Sequence, residues 1–199
     1  MLSLLKNLGD FDIILASESP RRLELLKMIG LDFAVHPSQI EETYQDHLTP
    51  VEYALDNAKR KSEKIAEKYP ASLIISADTI VTCENEVLEK PQDERHAYEI
   101  LNKLSGRTHE VITAFGICRI NSGISVFDYE MTRVTFRRLT DDEIHAYIKT
   151  GEPFDKAGGY GAQGYGSLLI ERVEGCYFNV VGLPLAKFYT MLKTFCTRN

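Results

Sequence analysis

Four groups of residues have types and spacings suited to chemistry. The first is Ser17-Glu18-Ser19-Pro20-Arg21-Arg22. Ser19 suits a helix N-cap and Pro20 the first helical position. A helix N-terminus presents free backbone N–H groups and the positive end of its dipole, so anions bind there. Ser17 and Ser19 can add hydroxyl donors. Arg21 and Arg22 fall in the first turn, where an exposed cation costs ~0.3–1 kcal/mol. Two adjacent breaches of a local rule invite a functional explanation. An anion between the dipole and the guanidiniums reverses the sign of that cost. The plain alternative is a capped helix with two solvated arginines.

The second is Asp78, inside the apolar run Ile74-Ile75-Ser76-Ala77-Asp78-Thr79-Ile80-Val81. An unpaired buried carboxylate costs several kcal/mol in effect, so such an Asp tends to face a cleft, a metal or a partner. It could bind a divalent cation or take a proton from water. It could also simply bond backbone N–H groups at a strand end.

The third is Glu41-Glu42 with Lys59 and Lys90. The glutamates, Glu42 with Asp78 above all, could supply oxygen ligands to Mg²⁺ or Mn²⁺. The lysines could meet phosphates as point charges. Taken singly, each also reads as a solvated surface charge. The fourth is Asp155-Lys156-Ala157-Gly158-Gly159-Tyr160-Gly161-Ala162-Gln163-Gly164. So much glycine lets backbone approach a ligand or turn sharply. Gln163 offers a donor and an acceptor, suited to the edge of a base. A flexible surface loop is the alternative.

The elements that must position these groups are legible in outline. Ile13 to Ala16 reads as a buried strand, and Leu23, Leu26 and Ile29 as a helical stripe ended by Gly30. Thr49-Pro50-Val51-Glu52 has the form of a capping box, with Val51, Leu55, Ala58, Ser62 and Ile65 on one face of its helix. Leu73 to Val81 is a strand, with a turn near Glu84-Asn85-Glu86. Ala97, Ile100, Leu101 and Leu104 mark a helix closed by Gly106. Val111 to Ile120 and Ser125 to Phe136 are strands joined at Asn121-Ser122-Gly123. Thr140 opens a capped helix closed by Gly151. Leu168 to Arg172 and Tyr177 to Val181 read as strands, and Pro184 opens a last helix. Mixed helices and strands with a central hairpin predict an α/β or α+β fold on a mixed sheet.

Composition bounds the class. The 199 residues are 44% hydrophobic and 26% charged, which suits one globular domain over residues 1–199, with or without two lobes. A net charge of −6 argues against broad nucleic-acid binding. Cys83, Cys118, Cys176 and Cys196 form no C-x-x-C pair and read as reduced thiols of a cytoplasmic protein. The segment Met1 to Asp10 is too short and interrupted for a leader or a membrane span.

Seven ordered stretches resemble the Maf family of nucleotide pyrophosphatases. They begin with Leu15-Ala16-Ser17-x-Ser19-Pro20-Arg21-Arg22-x-Glu24-Leu25-Leu26, Ala77-Asp78-Thr79-Ile80-Val81 and Leu88-x-Lys90-Pro91. Next come Leu104-Ser105-Gly106-Arg107-Thr108-His109 and Glu152-Pro153-x-Asp155-Lys156-Ala157-Gly158. Tyr160-Gly161-x-Gln163-Gly164 and Val181-Gly182-Leu183-Pro184 complete the set.

The resemblance implies a fold like that of inosine triphosphate pyrophosphatases, an elongated mixed sheet with two lobes around a cleft. It implies hydrolysis of a nucleoside triphosphate to the monophosphate and pyrophosphate with a divalent metal, and a homodimer. Asp78 matches the family's proposed catalytic acid, and Arg21, Thr79 and Gln163 match positions tied to substrate choice. These three resemble the dTTP/UTP branch. The branch that takes 7-methyl-GTP has Trp before the Arg, Gln at position 79 and Glu at position 163. Ser76 departs from the commoner Gly, which bears on packing more than on chemistry. On this reading Ser17, Arg22, Lys59 and Lys90 hold phosphates and Asp78 and Glu42 the metal. The partner is a nucleoside triphosphate, not a nucleic acid or a membrane. The rival readings are a non-enzymatic, nucleotide-binding regulator of cell division and a pyrophosphatase for modified nucleotides.

Overall fold

The structure, a computed structural model, describes Leu8, residues 11–42 and residues 47–198. The expectation about Met1 to Asp10 therefore lies, Leu8 apart, outside the described residues. Among the described residues no helix is long and apolar enough to cross a membrane.

The first strand, β1 (Ile13–Leu15), is followed by α1 (Pro20–Met28), β2 (Ala34–Val35) and α2 (Pro50–Ala66). Next come β3 (Leu73–Cys83), β4 (Glu86–Leu88), α3 (Glu94–Leu104), β5 (Thr108–Arg119) and β6 (Ile124–Phe136). Then α4 (Asp141–Ile148) leads through short 3₁₀ turns to β7 (Ile170–Glu174), α5 (Tyr177–Val181) and α6 (Leu185–Arg198). The strands form one mixed sheet in the order β2-β1-β3-β5-β6-β7, with β4 paired to β3. Strand β1 pairs in parallel with both β2 and β3, whereas β3–β4 and β6–β7 are antiparallel. The predicted mixed α/β class is what the chain adopts.

The chain divides into two compact units. Unit one holds residues 1–78, 114–129 and 182–199, and unit two holds residues 79–113 and 130–181. In unit one Ile14, Ala16, Ile65, Ala66, Ile74 and Cys118 pack together as a buried cluster. In unit two the core joins Val81, Leu101, Leu104, Val111, Phe136, Ile148 and Tyr160.

Local signals explain most element ends. Thr49 and Thr140 each form a complete capping box, with Glu52 and Glu143. At Glu84-Asn85 both residues take positive φ, the mark of a tight turn between antiparallel strands. Tyr177 to Val181 is a correction: it forms a short helix, not a strand. Its β-branched valines favour a strand locally, but buried hydrogen bonds of Asn179 to β5 and β6 hold the turn instead. The neighbouring strand starts at Ile170, because Leu168 belongs to a 3₁₀ turn and is exposed.

Candidate active site

In unit one the strand–turn–helix opening does what its residues suggest, with one change. Ser19 occupies the N-cap in an extended conformation, but its side chain makes no capping bond. Ser17 takes that part: its Oγ accepts the Ser19 N–H at 3.2 Å and Arg22 Nη1 at 3.0 Å. Arg22 is buried, and its Nε donates to the Gly182 carbonyl at 2.9 Å. Burial lowers the pKa of its guanidinium, against the carboxylates of Asp78 and Glu42, which raise it. The first-turn arginine is thus held by a serine and a distant carbonyl. Arg21 is half-buried beside it.

Asp78 is 4% exposed, near the middle of β3. Asn57 Nδ2 donates to its Oδ2 at 3.2 Å, and Lys61 Nζ lies 2.6 Å from its Oδ1. The same ammonium lies 2.7 Å from Glu42 Oε1. Lys61 therefore bridges the two carboxylates proposed as metal ligands. Ser76, on the same face of β3, donates to the Ala58 carbonyl at 2.7 Å and is fully buried. Its hydroxyl is satisfied by α2, which is how the departure from Gly is accommodated.

Lys61 and Asn57 are the residues that sequence reasoning missed. The buried face of α2 runs through Ala54, Asn57, Ala58, Lys61, Ser62 and Ile65; it keeps Ala58, Ser62 and Ile65 of the expected stripe, while Val51 and Leu55 are half-buried beside it. A lysine and an asparagine at core spacing were the available signal. The structure does not bring Lys59 to Asp78: it is exposed and pairs with Glu63 at 3.8 Å along the same helix. Glu41 is exposed, and its carbonyl accepts Arg60 Nη2 at 3.1 Å.

The two carboxylates fit a hard cation that keeps several waters and phosphate oxygens, because such an ion needs only one or two protein carboxylates. Among the described residues there is no cluster of three or more His, Cys, Asp or Glu for an all-protein cage.

In unit two Thr79 is half-buried, and its Oγ1 lies 2.9 Å from Thr113 Oγ1. Lys90 is exposed just after β4, before the buried Pro91. Gln163 is exposed and leads into the 3₁₀ turn Gly164–Leu169. The glycine-rich segment is not a loose surface loop. Gly158, Gly159, Tyr160, Gly161 and Ala162 are buried. Gly158 has φ +68°, and a Cβ there would stand 2.8 Å from the Val81 side chain, so only glycine fits. The carboxylate of Glu152 accepts the N–H groups of Tyr165 and Gly166 at 3.0 and 3.2 Å, closing the turn after Gln163. His109 Nε2 lies 2.6 Å from the Tyr160 hydroxyl in the buried core, so this motif histidine holds the segment from beneath.

Comparison with known proteins identifies the family. A dTTP/UTP pyrophosphatase of Caldicellulosiruptor saccharolyticus is 48% identical over 187 residues, covering 91% of this chain and 93% of its own. One of Carboxydothermus hydrogenoformans is 49% identical over 182 residues, covering 91% and 97%. Among solved structures, that of the Staphylococcus aureus Ham1 protein aligns over 80% of this chain and 79% of its own, at 17% identity with a TM-score of 0.48. The family model for Maf-like proteins matches residues 12–195. The chain belongs to the Maf family.

Proposed function

We propose that this protein hydrolyses nucleoside triphosphates, dTTP and UTP above all, to the monophosphate and pyrophosphate by attack of water on the α-phosphorus. The observation that carries the reading is the buried Asp78–Lys61 pair, with the exposed Glu42 on the same ammonium and Arg22 in its field. The names of the similar proteins point the same way.

Arg22, Ser17 and the first-turn N–H groups of α1 hold phosphate oxygens, so the ordered guanidinium costs little further entropy on binding. Lys59 and Lys90 meet phosphate oxygens as point charges, as the resemblance implies, and Lys61 is a buried ammonium beside Asp78. Asp78 and Glu42 would hold a divalent cation, Mg²⁺ or Mn²⁺, which would supply neutralisation of the phosphate charge. Asp78 accepts the proton of the attacking water, with Asn57 fixing the orientation of its carboxylate. Arg21, Thr79 and Gln163 choose the base. Catalysis of this kind is mostly positioning and charge stabilisation.

The test is pyrophosphate release from a panel of triphosphates with Mg²⁺ or Mn²⁺. Release from dTTP and UTP ahead of the purine triphosphates is expected. No turnover of any of them by the metal-loaded protein would sink the proposal.

A further inference from the structure

Four polar residues of α2, Asn57, Arg60, Lys61 and Lys64, share one stripe of the helix at spacings i, i+3, i+4 and i+7. Three of them reach back to the chain that precedes the helix. Lys64 Nζ donates to the Gln39 carbonyl at 2.9 Å, and Arg60 Nη2 donates to the Glu41 carbonyl at 3.1 Å. Lys61 Nζ lies 2.7 Å from Glu42 Oε1. Residues 39–42 are therefore strapped along α2 and end at the ammonium that also meets Asp78. Gln39 has φ +48°, a left-handed backbone that a side chain disfavours. Its own preference does not make this bend; its partners hold it.

Arg60 does more than its neighbours. While Nη2 holds the Glu41 carbonyl, Nη1 donates to Asn57 Oδ1 at 3.5 Å. A guanidinium only donates, and a carboxylate only accepts. Asn57 therefore turns its amide oxygen to Arg60 and its Nδ2 to Asp78 Oδ2, 3.2 Å away. The flipped amide would set donor against donor at Arg60 and acceptor against acceptor at Asp78. One planar fork thus meets both the amide beside Asp78 and the backbone next to Glu42. Asp56 Oδ2 stands 3.7 Å from the same Nη1 and balances its charge at the surface.

We propose that Arg60 is a positioning residue for the candidate site. Its fork sets the Asn57 amide and the course of residues 41–42, and so brings the Glu42 carboxylate to the ammonium that Asp78 holds. Lys64 secures the far end of the strap. Arg60 acts through Asn57 and Glu42, not on a substrate. The consequence for a divalent cation rests on the carboxylate reading above; the coupling of Arg60 to Glu42 does not.

Arg60→Lys keeps the charge and loses the fork, and Arg60→Met loses both. Arg60 is half-buried on the helix surface, so neither change opens the core. The first readout is the urea midpoint. In the parent protein Glu42→Gln weakens a partner of Lys61 and is expected to lower the midpoint. In either Arg60 variant the same change is expected to lower it less than half as far, because Glu42 is no longer held there. Equal shifts in all backgrounds overturn the inference, and so does no shift in the parent. The second readout is affinity for Mn²⁺ alone, followed by water-proton relaxation. Both Arg60 variants are expected to bind it about tenfold more weakly, the usual worth of a group that orients a metal ligand. Adding Glu42→Gln to them should cost little more. Fully additive losses, or parental affinity in Arg60→Lys, overturn the inference. A parent protein that binds no Mn²⁺ counts against the metal reading alone, because the urea midpoints still decide the role of Arg60.

Discussion

Lys61 Nζ lies 2.6 Å from Oδ1 of Asp78, and both side chains are almost wholly withdrawn from water. Neither charge could be buried alone. Each is bearable because the other is present, with Asn57 and Glu42 taking further hydrogen-bonding capacity. The cluster is therefore a stability element and, in the reaction proposed above, also the reactive centre.

Removing the ammonium should show this directly. Lys61→Met strands the Asp78 carboxylate and is expected to cost ~3–5 kcal/mol. Urea unfolding at neutral pH measures it. Adding Asp78→Asn should recover a good part of the loss, since the stranded charge is gone. A double variant no more stable than Lys61→Met would show that the pair is not coupled.

Asp78→Asn alone keeps the shape and leaves Lys61 its partner Glu42. Its stability should fall less than that of Lys61→Met. Its kcat/KM for UTP should fall by about 10²–10⁴, the usual worth of a positioned general base. Full activity in a folded Asp78→Asn protein removes Asp78 from the chemistry.

Gln163 is exposed and leads into a turn tied down by Glu152. Gln163→Glu exchanges an amide donor for a charged acceptor with no core to disturb. The melting temperature should stay within a degree or two, while preference for dTTP and UTP weakens about tenfold. An unchanged substrate ratio would take Gln163 out of base reading.

His109 makes stability depend on pH. Burial in the core of unit two depresses its pKa to about 4. The unfolded chain protonates near pH 6.5, and the folded protein resists doing so. Stability is therefore full above that value and falls as the pH drops toward 4, by roughly 3 kcal/mol at most. Urea midpoints at pH 7 and pH 4.5 measure the fall, and His109→Gln should reduce it. Equal pH slopes for the two proteins would place the acid sensitivity elsewhere.

Much of this protein was legible in the order of its residues. The capping boxes at Thr49 and Thr140, the glycine stops and the buried run around Asp78 are short-range signals, and short-range geometry obeys them. The motif at Ser17 reads as an anion site, because two arginines in a helix's first turn have no local reason to be there; the structure shows Arg22 held by Ser17 and Gly182. Other features depended on partners far away in the chain. Tyr177 to Val181 became a helix because Asn179 binds β5 and β6, more than 40 residues away. Lys61 rather than Lys59 lies at Asp78 because the packing of α2 against β3 sets which stripe is buried, and two residues along a helix turn a side chain by about 200°. The sequence by itself determined the family, the elements and the kinds of chemistry available. The tertiary structure decided which charges meet and which way the protons point, because burial and hydrogen-bond direction are properties of neighbours brought together only by folding.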